Sequence, residues 1–229
     1  MQKISIKELV AFTRKPNDRA KKNFAYKLKS RTAKEKKEDD ESGGGDYWIT
    51  STSCINNVFK HNNKDLYDGK IEELAEKVTA AELNQVKSMF QRNIDILNNF
   101  KDFHIEDIRP SKILKFETVQ RAHTIVYIDD FPLYISPSVL FCHERRGKKE
   151  LGAIWLVAQV GGFKKNELGM FCEMLYEFLI KHYSEDYQIS EDLCIAIDTF
   201  SAQKISYKEL KNSNASSLVK KTLKEIKNL

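Results

Sequence analysis

Cysteine, proline, glycine and tryptophan are all scarce in this 229-residue chain: it has 4, 4, 9 and 2 of them. Cys54, Cys142, Cys172 and Cys194 are widely spaced, three within apolar segments, and form no CxxC pair. That spacing excludes a zinc ribbon and argues against a disulfide framework, so reduced, buried thiols are expected. No apolar run approaches the roughly 18 residues of a membrane span. "MQKISIKELVAF" has neither a long apolar stretch nor a small-residue cleavage site, and a cytoplasmic protein is expected.

Charge is present at both ends and reversed between them. Met1 to Glu41 holds 13 Lys+Arg against 7 Asp+Glu, and Lys204 to Leu229 holds 7 against 2. The net charge is only +5, so the middle is acidic. Basic ends suit an acidic partner such as nucleic acid, or equally a solvated tail. Within the first segment, Arg14, Lys15, Arg19, Lys21 and Lys22 interleave with Phe12, Phe24 and Tyr26. Cations neutralise phosphates and aromatics stack on bases, so these five are candidate nucleic-acid contacts. The competing reading makes the aromatics core and the lysines solvated.

Four segments follow from composition: a basic N-terminal segment, 1–41; a Gly-rich linker, 42–46; a helical lobe, 47–110; and an α/β core, 111–229. In "YWITSTSCINNVFK" the hydroxyls of Ser51, Thr52 and Ser53 precede Ile55, Val58 and Phe59, which predicts a helix N-cap there. A second helix is predicted around Lys70 to Lys77. A third is predicted from a Thr79/Glu82 capping box, with Leu83, Val86, Phe90, Ile94, Leu97 and Phe100 on one face.

From Phe116 the period changes. "FETVQ", "HTIVYI", "PLYISPSVLFC" and "ELGAIWLVAQV" are rich in β-branched and aromatic residues and predict an antiparallel meander, with Pro137 marking an edge or bulge. Leu151–Val160 is apolar on both faces, as a central strand is. A helix beginning near Asn166, the strand "LCIAIDTF" with "KISY" continuing it, and a closing helix over about Ala215 to Lys227 complete an α+β fold.

This order, with "SPSVLF", "GKKELGAIWLVAQVGGFKKNELGMFCEMLYEFL" and "LCIAIDTFSAQKISY", resembles the PD-(D/E)XK nuclease superfamily, and within it an uncharacterised bacterial family. The resemblance spans roughly 47–207. It implies a restriction-endonuclease-like α-β-β-β-α-β core, a Mg2+ or Mn2+ cofactor, and action on DNA or RNA in bacterial defence or a mobile element. The family's metal is held by strand carboxylates, and a lysine polarises the attacking water. By position, the triplet's acid falls on Ser138 and its arginine on Ser136, while the lysine falls on Trp155. The nearest substitutes are Asp130 and Glu144 as metal ligands, with Gln159 and Lys164 near the water. The alternative is a non-catalytic adaptor that binds a partner protein.

Other signals carry paired readings. Arg145, Arg146, Lys148 and Lys149 form a basic hairpin tip that grips phosphates or is simply solvated. Asp129-Asp130 before Phe-Pro reads more as a turn than a metal site. Trp155 reads as core rather than as a stacking platform. Asp198 closes a strand, where side chains reach ligands or cap a neighbouring element. No histidine has a second histidine at ligand spacing.

Overall fold

The computed structural model describes residues 2–31, 47–213 and 216–229. The linker expected at 42–46 and the charge run ahead of it lie outside these residues. The chain opens with β1 (Ile4–Ser5), α1 (Ile6–Thr13) and α2 (Asp18–Ser30). Three helices come next: α3 (Ile49–His61), α4 (Leu66–Ala80) and α5 (Asn84–Lys101). After the short strand β2 (Lys115–Glu117) and a 3-10 turn, Arg121–Thr124, come β3 (Ile125–Ile128), β4 (Phe131–Tyr134), β5 (Val139–Arg145) and β6 (Lys148–Val157). The chain then runs through α6 (Lys165–Tyr183), β7 (Gln188–Asp198), β8 (Gln203–Ser206), α7 (Tyr207–Asn212) and α8 (Leu218–Asn228). The fold is α+β.

The strands do not form one meander. They divide into a three-stranded sheet, β1-β4-β3, and a five-stranded sheet, β2-β5-β6-β7-β8. The division falls inside "PLYISPSVLFC", which is two strands rather than one. Pro137 lacks an N–H, and it sits in the gap between β4 and β5. Ser138 then joins β5 to β6 partly with its side chain: its N–H donates to the Ile154 carbonyl at 2.9 Å, and its hydroxyl accepts from the Leu156 N–H at 3.0 Å.

β6 is the central strand, as its double apolar pattern predicts, antiparallel to β5 and parallel to β7. Side chains alternate across a strand, so β6 serves two cores. Leu151, Ala153, Trp155 and Val157 pack with α6, α8 and the N-terminal helices. Ile154 and Leu156 pack with α3, α4 and α5. The first core takes in Ile4, Ile6, Leu9, Val10 and Phe12 of β1 and α1, with Ala25 and Leu28 of α2. β1 also pairs in parallel with β4. Residues 2–31 are therefore built into the same body as α6 and α8.

Two helix starts differ from expectation for one reason: hydroxyl side chains can bond within a helix as well as cap one. Ser51 and Thr52 lie inside α3 and donate to the Trp48 carbonyl, and the helix begins at Ile49. Thr79 lies in the last turn of α4, donating to the Ala75 carbonyl at 3.1 Å, and α5 begins at Asn84. No helix among the described residues is long and apolar enough to cross a membrane.

Candidate functional site

The parallel pair β6 and β7 brings together the loop after β6 and the turn after β7. Gly161 and Gly162 both adopt positive φ, 78° and 69°, and turn the chain from β6 into α6. At Gly162 a Cβ would lie 2.5 Å from Asp198 Oδ2, so the turn is closed directly over that carboxylate. Asp198 is fully buried. It accepts from three donors: the Phe163 N–H at 3.0 Å, the Phe200 N–H at 3.1 Å and the Ser201 hydroxyl at 2.7 Å. The capping reading of Asp198 describes these contacts.

Beside it, Arg14 at the end of α1 reaches across 153 positions of sequence to Glu167, Nε to Oε1 at 2.6 Å, and donates to the Gly162 carbonyl at 3.0 Å. Glu167 is buried near the start of α6 and also accepts from the Lys164 N–H at 2.8 Å. Burial pushes the Glu167 carboxyl up, but Arg14 and the Lys164 amide outweigh burial and hold it below the usual carboxylate range. The sequence carried one signal for this network: Glu167 stands three residues after Lys164, the N3 position at which an acid reaches back to the helix start. Nothing in the sequence pointed to Arg14 as its partner.

Trp155 is core: it is 8% exposed and meets Phe171 edge-on at 5.3 Å between centroids. Together with Ser138, which completes the β5–β6 ladder, it fills with structural contacts both places where the resemblance expects chemistry.

The four substitutes do not converge. Asp130 sits in the β3–β4 turn of the smaller sheet, its side chain 92% exposed, with Lys227 of α8 at 3.5 Å. Asp129 before it has φ 45°, a turn conformation that aspartate tolerates. Glu144 lies near the β5–β6 turn, opposite Lys149. Gln159 and Lys164 lie past the other end of β6; the Gln159 carbonyl accepts from the Gly162 N–H at 3.0 Å, and the Lys164 side chain is exposed. From Lys149 to Val157 the strand rises about 26 Å, which separates Glu144 from Gln159 and Lys164. Among the described residues, no three His, Cys, Asp or Glu side chains gather as a metal-ligand group. Among the described residues, the four substitutes thus form no site for the divalent metal that the resemblance implies.

The basic residues are arranged differently. At the β5–β6 hairpin, Arg146 and Gly147 take the two positive-φ positions of a tight turn, and Arg145, Arg146, Lys148 and Lys149 are all exposed around it. Of the N-terminal candidates, Arg14 is committed to Glu167, Lys15 lies 4.7 Å over the Phe24 ring, and Lys21 pairs with Glu225 of α8 at 2.7 Å. Arg19 and Lys22 are exposed and form no ion pair among the described residues.

The Lys21–Glu225 pair is a polar tie between α2 and α8, and Lys29 Nζ, donating to the Ile226 carbonyl at 3.2 Å, is another. The two basic ends of the chain are thereby laid side by side. Lys220, Lys221 and Lys224 on α8 are exposed, as are Arg19, Lys22, Lys27 and Lys29 on α2. A separate cleft of about 790 Å³ opens between α6, α7 and α8. Its wall includes Glu173, whose carboxyl burial pushes up and which accepts from the Ser217 hydroxyl.

No family model, curated protein or solved structure matches this chain.

Proposed function

We propose that the chain binds nucleic acid through phosphate contacts along the joined outer faces of α2 and α8. The observation that supports it is the pairing of two helices from opposite ends of the sequence, each rich in exposed cations. Such a face attracts a polyanion by releasing its counterions. The basic β5–β6 turn supplies a second set of cations of the same kind. Four free, buried cysteines accord with a reducing, cytoplasmic setting.

The reading predicts binding that is steeply salt-dependent. Fluorescence anisotropy of labelled duplex and single-stranded oligonucleotides, starting from about 50 mM salt, measures it. Lys22→Glu combined with Lys221→Glu and Lys224→Glu should weaken binding and flatten the salt slope. Each lost phosphate contact removes about 0.9 from the slope on a duplex and about 0.7 on a single strand. Absence of salt-dependent binding in the unaltered protein would refute the proposal. The partner-protein reading then takes its place, since Ser138 and Trp155 both serve structure where the resemblance expects chemistry.

A further inference from the structure

Three aromatic residues of the basic N-terminal segment have different fates. Phe12 is fully buried, with Lys21 Nζ 5.5 Å from its ring centre. Phe24 packs against the same core, with Lys15 Nζ 4.7 Å away. Tyr26 is 70% exposed. Among the described residues it makes no ring–ring contact, lies under no cation and forms no side-chain hydrogen bond.

Its place on α2 explains the exposure. Ala25 and Leu28 face the core, and the helix turns Tyr26 outward with Arg19, Lys22 and Lys29. Their spacing, i, i+3, i+7 and i+10 from Arg19, places the four on one side of the helix, with successive members about 5–6 Å apart. A bare phenol ring thus stands in a row of cations. Single exposed rings are ordinary, and Tyr127 is another; what sets Tyr26 apart is its place in line with three cations.

We infer that Tyr26 is a stacking residue for an unpaired base, and that the strand held by the α2–α8 face is single-stranded. The chemistry is complementary. Arg19, Lys22 and Lys29 neutralise the phosphates on either side while the ring of Tyr26 takes the flat face of the base between them. In a duplex the bases are stacked on one another, and their faces are closed to such a ring. Stacking on an aromatic side chain tolerates any base, so little sequence preference is expected. This inference rests on the nucleic-acid reading above and adds to it a strand class and a residue role.

The test compares Tyr26→Ala and Tyr26→Phe with the unaltered protein, using oligo(dT), its oligo(U) counterpart and a duplex of the same length. Tyr127→Ala, at an exposed tyrosine on β3, is the control. Tyr26→Ala should weaken binding to both single strands by roughly 5- to 100-fold. It should leave the salt slope unchanged, because no charge is lost, and leave duplex binding unchanged. Tyr26→Phe keeps the ring and should bind as the parent does. If Tyr26→Ala binds single strands as tightly as the parent, or weakens duplex and single strand equally, the stacking role is overturned while the phosphate-binding face stands. If the parent binds neither, both fall.

Discussion

His182, near the end of α6, stacks on His123 with ring centroids 4.3 Å apart and planes 9° from parallel. His182 Nε2 and His123 Nδ1 are both buried without a hydrogen-bond partner. Phe178 lies against His182, Tyr183 stands edge-on to His123, and Lys181 is the next residue along the helix. Burial, then His123, then Lys181 push the His182 pKa below its ordinary value. An imidazole with a lowered folded-state pKa stays neutral when the unfolded chain has already taken up a proton. Stability is therefore complete above about pH 6.5 and falls as pH drops through that value toward the folded pKa. The slope from this one group is at most about 1.4 kcal/mol per pH unit. His182→Phe should lose less stability than the parent between neutral pH and pH of about 5.5 in urea unfolding. An identical loss in both would show that the stacked pair does not set the dependence. The sequence showed His123 and His182 as isolated, which is correct along the chain and wrong in space, where the 3-10 turn and α6 bring the two rings together.

The elements were legible where their pattern was long and their neighbours local. β6 and α6 declared themselves through apolar stripes, and the β5–β6 turn through Arg-Gly between charged strands. β7 was legible only from Leu193, because Gln188 to Asp192 is largely polar. Lys204 to Ser206 of the KISY run expected to continue it fall in the separate antiparallel strand β8. The starts of α3 and α5 were not legible, because a hydroxyl in front of an apolar stripe reads the same whether it caps the helix or sits inside one. Nor was the partition into two sheets, since β4 and β5 read as one apolar run and the short stretch Ile135 to Ser138 between them holds only Pro137 as a break. One element junction carries a buried polar side chain. Asn93 of α5 is 1% exposed. Its amide donates to the Tyr47 carbonyl at 2.9 Å, and its oxygen accepts from the Ser51 N–H at 3.0 Å. It is the polar bridge from α5 to the first turn of α3. Asn93→Ala would leave those two backbone groups unpaired in a buried place, at a cost of about 2–3 kcal/mol. Chemical unfolding measures this directly, and a change under about 0.5 kcal/mol would mean that other donors or water take over.

At the scale of the molecule, composition revealed two basic ends but not that they are neighbours. That adjacency depends on α8 inserting Val219, Leu223 and Ile226, each fully buried, into the core shared with α1, α2 and α6. Each such side chain stabilises the fold by roughly 1.5–3 kcal/mol, so the helix carries a large part of a typical domain's margin of about 5–15 kcal/mol. A chain ending at Ser213 should lose its cooperative thermal transition, or show one far below the parent's, when followed by circular dichroism. An unshifted midpoint would show that α8 is an attachment rather than a part of the core.

The same arrangement constrains how the protein is made. A ribosome delivers the chain from its N-terminus at about 5–20 residues per second. β1, α1 and α2 emerge before β4, the strand that β1 pairs with, and well before α8, the helix that α1 and α2 lean on. Residues 2–31 therefore wait, cationic and without those partners, while everything between them and α8 is made. During that interval Ile4, Leu9, Val10 and Phe12 lack the core that they enter in the finished fold.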